Sequence, residues 1–148
     1  MTSFDGMASK PAEEWQQTRE YLLRELDIDD AVKAALVDRF LEANRESHRL
    51  DLESDLDAGY VIDHDNAIHS YLGDGCSGWD GLELDYPDLK SLCRISMPAY
   101  DPVSSLVMIY DELLFGLFGE GNGSGQVSVL RPENNRFVTV GMVLIWMT

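Results

Sequence analysis

The sequence predicts an α+β fold, with N-terminal helices packed on a C-terminal antiparallel β-meander of three to five strands. Three observations carry this expectation. Apolar residues recur at steps of three and four over residues 12–46, the period of a helix face. Residues 92–148 instead hold strand-length apolar blocks separated by Pro, Gly and Asn turn signals. A length of 148 residues suits one domain, and helices followed by strands in separate blocks point to segregated layers rather than a parallel βαβ sheet. The expected organisation is a flexible N-terminus over residues 1–11 and a single α+β domain over 12–148.

Residues 1–11 (MTSFDGMASKP) are small and polar, without the cationic start and apolar run of a secretory signal. In the first helix Trp15, Thr18, Leu22 and Leu26 form the stripe, and Glu13 and Glu14 suit the positive end of the helix dipole. Asp27 or Asp29 is the expected cap of a second helix with the stripe Val32, Ala35, Leu36, Phe40 and Ala43, closed near Asn44. In the middle of the chain, 59–62 reads as a short strand and 67–72 as a helical turn. Four glycines in nine residues make 73–81 irregular, with Trp79, Leu82, Leu84, Tyr86 and Leu89 as apolar anchors.

The strand region begins with 94–100, broken near Pro98 and ended by Asp101-Pro102. Residues 105–115 are apolar on both alternating faces, as for a central strand. Asn122-Gly123 is the strongest hairpin signal and places a turn there. A strand over 126–131, the turn Pro132-Glu133-Asn134-Asn135 and a long strand over 136–147 complete the meander.

Charge narrows the function classes. With 27 acidic and 11 basic residues the formal net charge is −16. Nucleic-acid backbone binding needs Lys and Arg to displace counterions, and anionic lipid repels such a chain. The longest apolar stretch near the end, 141–147, is too short to span a bilayer as a helix, so a cytoplasmic protein is expected. Cys76 and Cys93 are too few for a disulfide scaffold and match no metal-knuckle spacing, which suits two reduced thiols.

Residues 50–88 concentrate 11 of the acids and contain no Lys or Arg. Several patterns in and near this stretch look like sites and fail on chemistry. Residues 73–78 match G-x-G-x-x-G, but no strand–turn–helix context surrounds them and neighbouring aspartates would repel phosphate. From Glu53, the glycine and glutamate of a calcium loop are replaced by Ala58 and His64. His64 and His69 beside Asp63 and Asp65 are five apart, wrong for two ligands on one helix face. A Cys76 thiolate would be disfavoured among acids. Gly116, Gly119, Gly121, Gly123 and Gly125 read chiefly as a hairpin that lets another segment approach closely, with Phe118 an apolar anchor at its tip. No catalytic, cofactor-binding or metal-ligating residue is assigned.

Phe40-Leu41-Glu42-Ala43-Asn44 closing a helix, Trp79, Tyr86-Pro87, Ile95-Ser96 opening a strand, Gly119-Glu120-Gly121, Leu130 and Trp146 occur in an order that resembles a family of small uncharacterised bacterial α+β proteins. The chain departs from it in the acidic middle and in Gly123-Ser124-Gly125. The family has no assigned activity, so the resemblance implies fold and topology and transfers no site.

The functional expectation is therefore an acidic, non-enzymatic binding protein, of the immunity- or antitoxin-like kind, that engages a basic protein through the 50–88 lobe. Its contact residues would be Asp51, Glu53, Asp55, Asp57, Asp63, Asp65, Asp74, Asp80, Glu83 and Asp85, with Trp79, Tyr86 and Phe118 as aromatic anchors. The rival classes are a small enzyme or ligand-binding module with a pocket between helices and sheet, a nucleic-acid mimic, and a homodimer joined through strands that are apolar on both faces.

Overall fold

The structure, a computed structural model, describes residues 12–46, 78–117 and 120–147. Among them α1 spans Ala12–Glu25, α2 Asp30–Ala43 and α3 Gly78–Asp85. The strands are β1 Leu92–Ile95, β2 Ala99–Asp101, β3 Leu106–Leu117, β4 Glu120–Glu133 and β5 Arg136–Met147. They form one sheet in the order β1-β3-β4-β5, with β2 also paired to β3, and the helices precede it in the chain. The α+β class and the helices-then-sheet order are those that the sequence predicts. The described residues divide into two compact units, one holding 12–46, 93–113 and 123–147, the other 78–92, 114–117 and 120–122.

In the first unit α2 packs on α1 and on β2. Asp29 is the cap of α2, its carboxylate accepting from the Ala31 N–H at 2.9 Å, which pairs one of the orphan amides of the first turn. Leu22 and Leu26 of the predicted α1 stripe are buried, and Trp15 packs against the core. In α2 the buried face is Leu36, Val37, Phe40 and Leu41, whereas Ala35 is exposed. The apolar stripe is thus turned from the expected one toward Val37 and Leu41, the larger side chains, because burying them removes more apolar area from water. Arg19 and Asp38 tie the two helices at 2.6 Å, and the guanidinium, mainly through its hydrogen bond, holds the Asp38 carboxyl below the usual range.

Pro98 interrupts the first sheet edge as expected, leaving 96–98 between β1 and β2. Asn44, the C-cap of α2, repairs the break from outside. Its amide donates to the Phe40 and Met97 carbonyls at 2.9 and 3.1 Å, and its Oδ1 accepts from the Met97 N–H at 2.9 Å. One side chain therefore ends a helix and pairs both backbone groups of an edge residue. On the other edge, Tyr21 of α1 donates its hydroxyl hydrogen to the Leu144 carbonyl of β5 at 3.1 Å. A side chain from the helices thus meets β5 and another meets the break between β1 and β2, contacts of the kind that blunt strand addition.

Between β2 and β3, buried Asp101 accepts from the Ser104 hydroxyl and amide at 2.6 and 2.9 Å, with Arg39 at 3.5 Å. These contacts, the Ser104 hydroxyl first, hold its carboxyl below the ordinary aspartate range. The β4–β5 turn is the two-residue Asn134-Asn135, with φ of 47° and 62°. Two left-handed residues in a two-residue loop make a primed turn, whose twist matches the flanking strands, and Asn tolerates that region. Pro132 and Glu133 lie in β4 rather than in the turn, and pair with Phe137 and Arg136.

Two further expectations are corrected. Residues 78–81, expected to be irregular, open α3, where buried Trp79 and Leu82 offset the entropy that glycine loses in a helix. Asn122-Gly123 lies inside β4, which begins at Glu120, so the expected turn is not there. The expected strand at 59–62 and the helical turn at 67–72 lie outside the described residues.

Candidate interaction surfaces

The stretch expected to bind a basic partner is described only from residue 78 onward. Asp51, Glu53, Asp55, Asp57, Asp63, Asp65, Asp74 and Phe118 lie outside the described residues, as do Cys76, His64 and His69. In α3 and the turn after it, the side chains of Asp80, Glu83, Asp85 and Asp88 are exposed, and Lys90 is the first cation to follow. Leu84, between two acids, is 82% exposed, and Tyr86 is partly exposed. Trp79, by contrast, is buried, so its ring serves the fold and leaves little surface for a partner.

The first unit contains a buried polar cluster that sequence reasoning missed. Glu112 of β3 is fully buried, and its two oxygens accept from Arg94 of β1 at 3.1 Å and from the Tyr110 hydroxyl at 2.8 Å. The Tyr110 oxygen in turn accepts from the Trp146 indole N–H of β5 at 3.0 Å. Burial, and then the hydrogen bond to Glu112, push the Tyr110 phenol well above its ordinary value. Gly125, opposite Trp146 in the β4–β5 ladder, makes room for this cluster. A Cβ there would collide with the Trp146 indole nitrogen and the Tyr110 hydroxyl, and would lie 2.9 Å from Trp146 Cδ1. The close-approach reading of the glycine run therefore holds at this position. Among the described residues no buried side-chain nitrogen or oxygen lacks a hydrogen-bond partner. Polar atoms paired in this way fix the register of the three strands that supply them. One signal pointed to it: Asp111-Glu112 is an acid pair inside an apolar strand, so one of the two must face the core and needs a cation.

The opposite side of the same sheet differs in kind. Backbone pairing puts Gln126 against Leu144, Ser128 against Met142, Leu130 against Thr139 and Pro132 against Phe137. Gln126 donates to the carboxylate of Asp111 at 3.3 Å, which places Asp111 and, by strand alternation, Val107, Ile109 and Leu113 on that same face. Tyr100 joins it opposite Val107. Leu113, Tyr100, Phe137, Met142 and Leu144 are all exposed. No charge falls within 124–130 or 137–147, two ladder-paired runs of a chain in which 26% of residues are charged.

Cys93 is a free, exposed thiol whose pKa is raised by partial burial and by Asp111 and Glu112, so thiolate chemistry is disfavoured there. Among the described residues no group of three or more His, Cys, Asp or Glu is placed to hold a metal ion, and no helix is long and apolar enough to cross a membrane. No family model, curated protein or solved structure matches the chain, so nothing is transferred from a relative.

Proposed function

We propose that the chain is an acidic, non-enzymatic binding protein, immunity- or antitoxin-like, that works in the cytoplasm by masking a basic protein. The observation that carries this reading is the arrangement on α3: exposed Leu84 stands between Glu83 and Asp85, with Asp80 exposed on the same helix. Carboxylates attract a cationic surface over a distance, and a large apolar side chain among them supplies the area that holds it once docked. The net charge of −16 and the run of acids over 50–88 without Lys or Arg extend the same field along the chain. A buried polar cluster with every oxygen engaged supports a scaffold more than a catalyst.

The test is association kinetics with basic proteins, a small cationic ribonuclease serving as the probe. The association rate falls about tenfold or more between low and physiological salt, as steering requires. Charge reversal at Glu83 and Asp80 to Lys slows association, whereas Leu84→Ala chiefly speeds dissociation. Rates indifferent to salt and to the charge reversal would overturn the reading.

A further inference from the structure

We infer that the open apolar face of the sheet, built on Val107, Ile109, Leu130, Met142 and Leu144, is the interface of a homodimer, two copies meeting face to face. This inference concerns a surface other than the acidic helix and does not rest on the function proposed above.

Four observations select both the face and its occupant. The first is charge. Each copy carries −16, so two copies approach only where carboxylates are absent. The uncharged runs 124–130 and 137–147 lie side by side in the β4–β5 ladder, and the one acid identified on the β3 part of the face, Asp111, accepts from Gln126. A basic partner finds no complementary charge on this face, whereas an identical neutral face is a complement in itself. The second is area. Three to four strands at ~4.8 Å spacing and about ten residues at ~3.4 Å each give a footprint of roughly 500–650 Å² before side-chain relief is counted. That is within reach of the ~800 Å² each partner contributes to a stable interface, and at the upper end of the ~300–600 Å² of a typical monomer's largest apolar patch.

The third observation concerns the edges. Tyr21 on the Leu144 carbonyl of β5 and Asn44 on both backbone groups of Met97, between β1 and β2, occupy groups that an added strand would use at those two places, which favours the face as the route. The fourth is exposure. Met142 and Leu144 are large apolar side chains about half in water on this face, joined there by exposed Leu113 and Phe137. Sheets stacked face to face lie ~10 Å apart with strands crossing at about −30°.

Sedimentation equilibrium of the full chain tests the inference, with Leu144→Asp as the variant. The wild type forms a dimer whose affinity holds or rises as salt is added, because screening relieves repulsion between two anions. Leu144→Asp raises the dissociation constant at least tenfold while its circular dichroism stays that of the wild type. Should that variant lose its fold, Met142→Ser removes apolar area without adding charge and is expected to weaken the dimer in the same sense. A wild type that stays monomeric up to its solubility limit overturns the inference. So does a dimer that salt dissolves, or one that both folded variants leave unchanged. Failure of salt-dependent binding to the cationic ribonuclease would leave these results as they are, so the two readings fail separately.

Discussion

The two faces of the sheet are made by the same strands and are put to opposite uses. On the helix side Val127, Val129, Val143 and Met108 are buried with Tyr110 beneath α1 and α2, and a carboxylate there is engaged on both oxygens. On the open side Met142 and Leu144, which flank Val143 in sequence, are apolar as well, yet remain about half exposed, at 55% and 45%. Apolar character alone thus does not say where a core is. What marks the core side is the close fit around it: glycines at the contacts, a buried cluster with its polar atoms paired, and helix side chains that finish the sheet edges.

That contrast is sharpened by substitutions on each side. The largest effect is expected at Glu112→Ala, which leaves Arg94 and the Tyr110 hydroxyl without their shared acceptor. Breaking a buried charge pair from one side costs ~3–5 kcal/mol, and a thermal melt should drop by well over 5 °C. Gly125→Ala follows at about 2–3 kcal/mol, since its Cβ meets the Trp146 indole and the Tyr110 hydroxyl, neither of which is free to move without losing hydrogen bonds. Gly141→Ala serves as its control on the same side. There the one atom closer than 3 Å, at 2.7 Å, is the Ile28 Cγ2 methyl, which makes no hydrogen bond that a shift would break, so the loss in a denaturant titration is expected to be smaller.

Asn44→Ala removes three hydrogen bonds joining α2 to its own end and to Met97, and is expected to cost about 2 kcal/mol by chemical denaturation. A pH series adds a subtler mark of the buried side. The folded state keeps the Tyr110 proton to higher pH than the unfolded chain does. Its contribution is therefore complete below the ordinary phenol range, near ~10, and is lost as pH rises beyond it. Tyr110→Phe should flatten that alkaline decline of the melting temperature while lowering stability at neutral pH. Smallest of all is Met142→Ser on the open face, expected to change the stability of the dilute chain by no more than ~0.5 kcal/mol. A loss there as large as at Gly125 would erase the distinction between the faces.

Much of the architecture was legible because its signals are local. Asn134-Asn135 fixed the last hairpin, and the run after it is β5 to the residue. Asp29 and Asn44 closed α2 at either end through side chains that bond nearby backbone. The failures have a common cause in glycine, whose freedom marks a turn only when no other segment needs the space. Gly123, expected in a turn, lies within β4, and the glycines opening α3 sit among buried Trp79 and Leu82. The Arg94–Glu112–Tyr110–Trp146 cluster was hidden for another reason. Its members are scattered through the sequence, and only the register of three strands brings them together. Apolar residues on both faces of the long strands were visible at once, but which face meets the helices depends on Ile28 reaching Gly141 and on other contacts distant in sequence.

The difference between the faces can be read directly from methionine oxidation by dilute peroxide, followed by peptide mass spectrometry. Met108 lies in the core and Met142 on the open side, in one chain and one experiment. Met108 should resist at every protein concentration, and Met142 should oxidise readily in dilute solution and become protected as the concentration rises. Equal rates at the two positions in folded protein, or a Met142 rate that ignores concentration, would contradict a sheet with one side closed by its own helices and the other by a second copy.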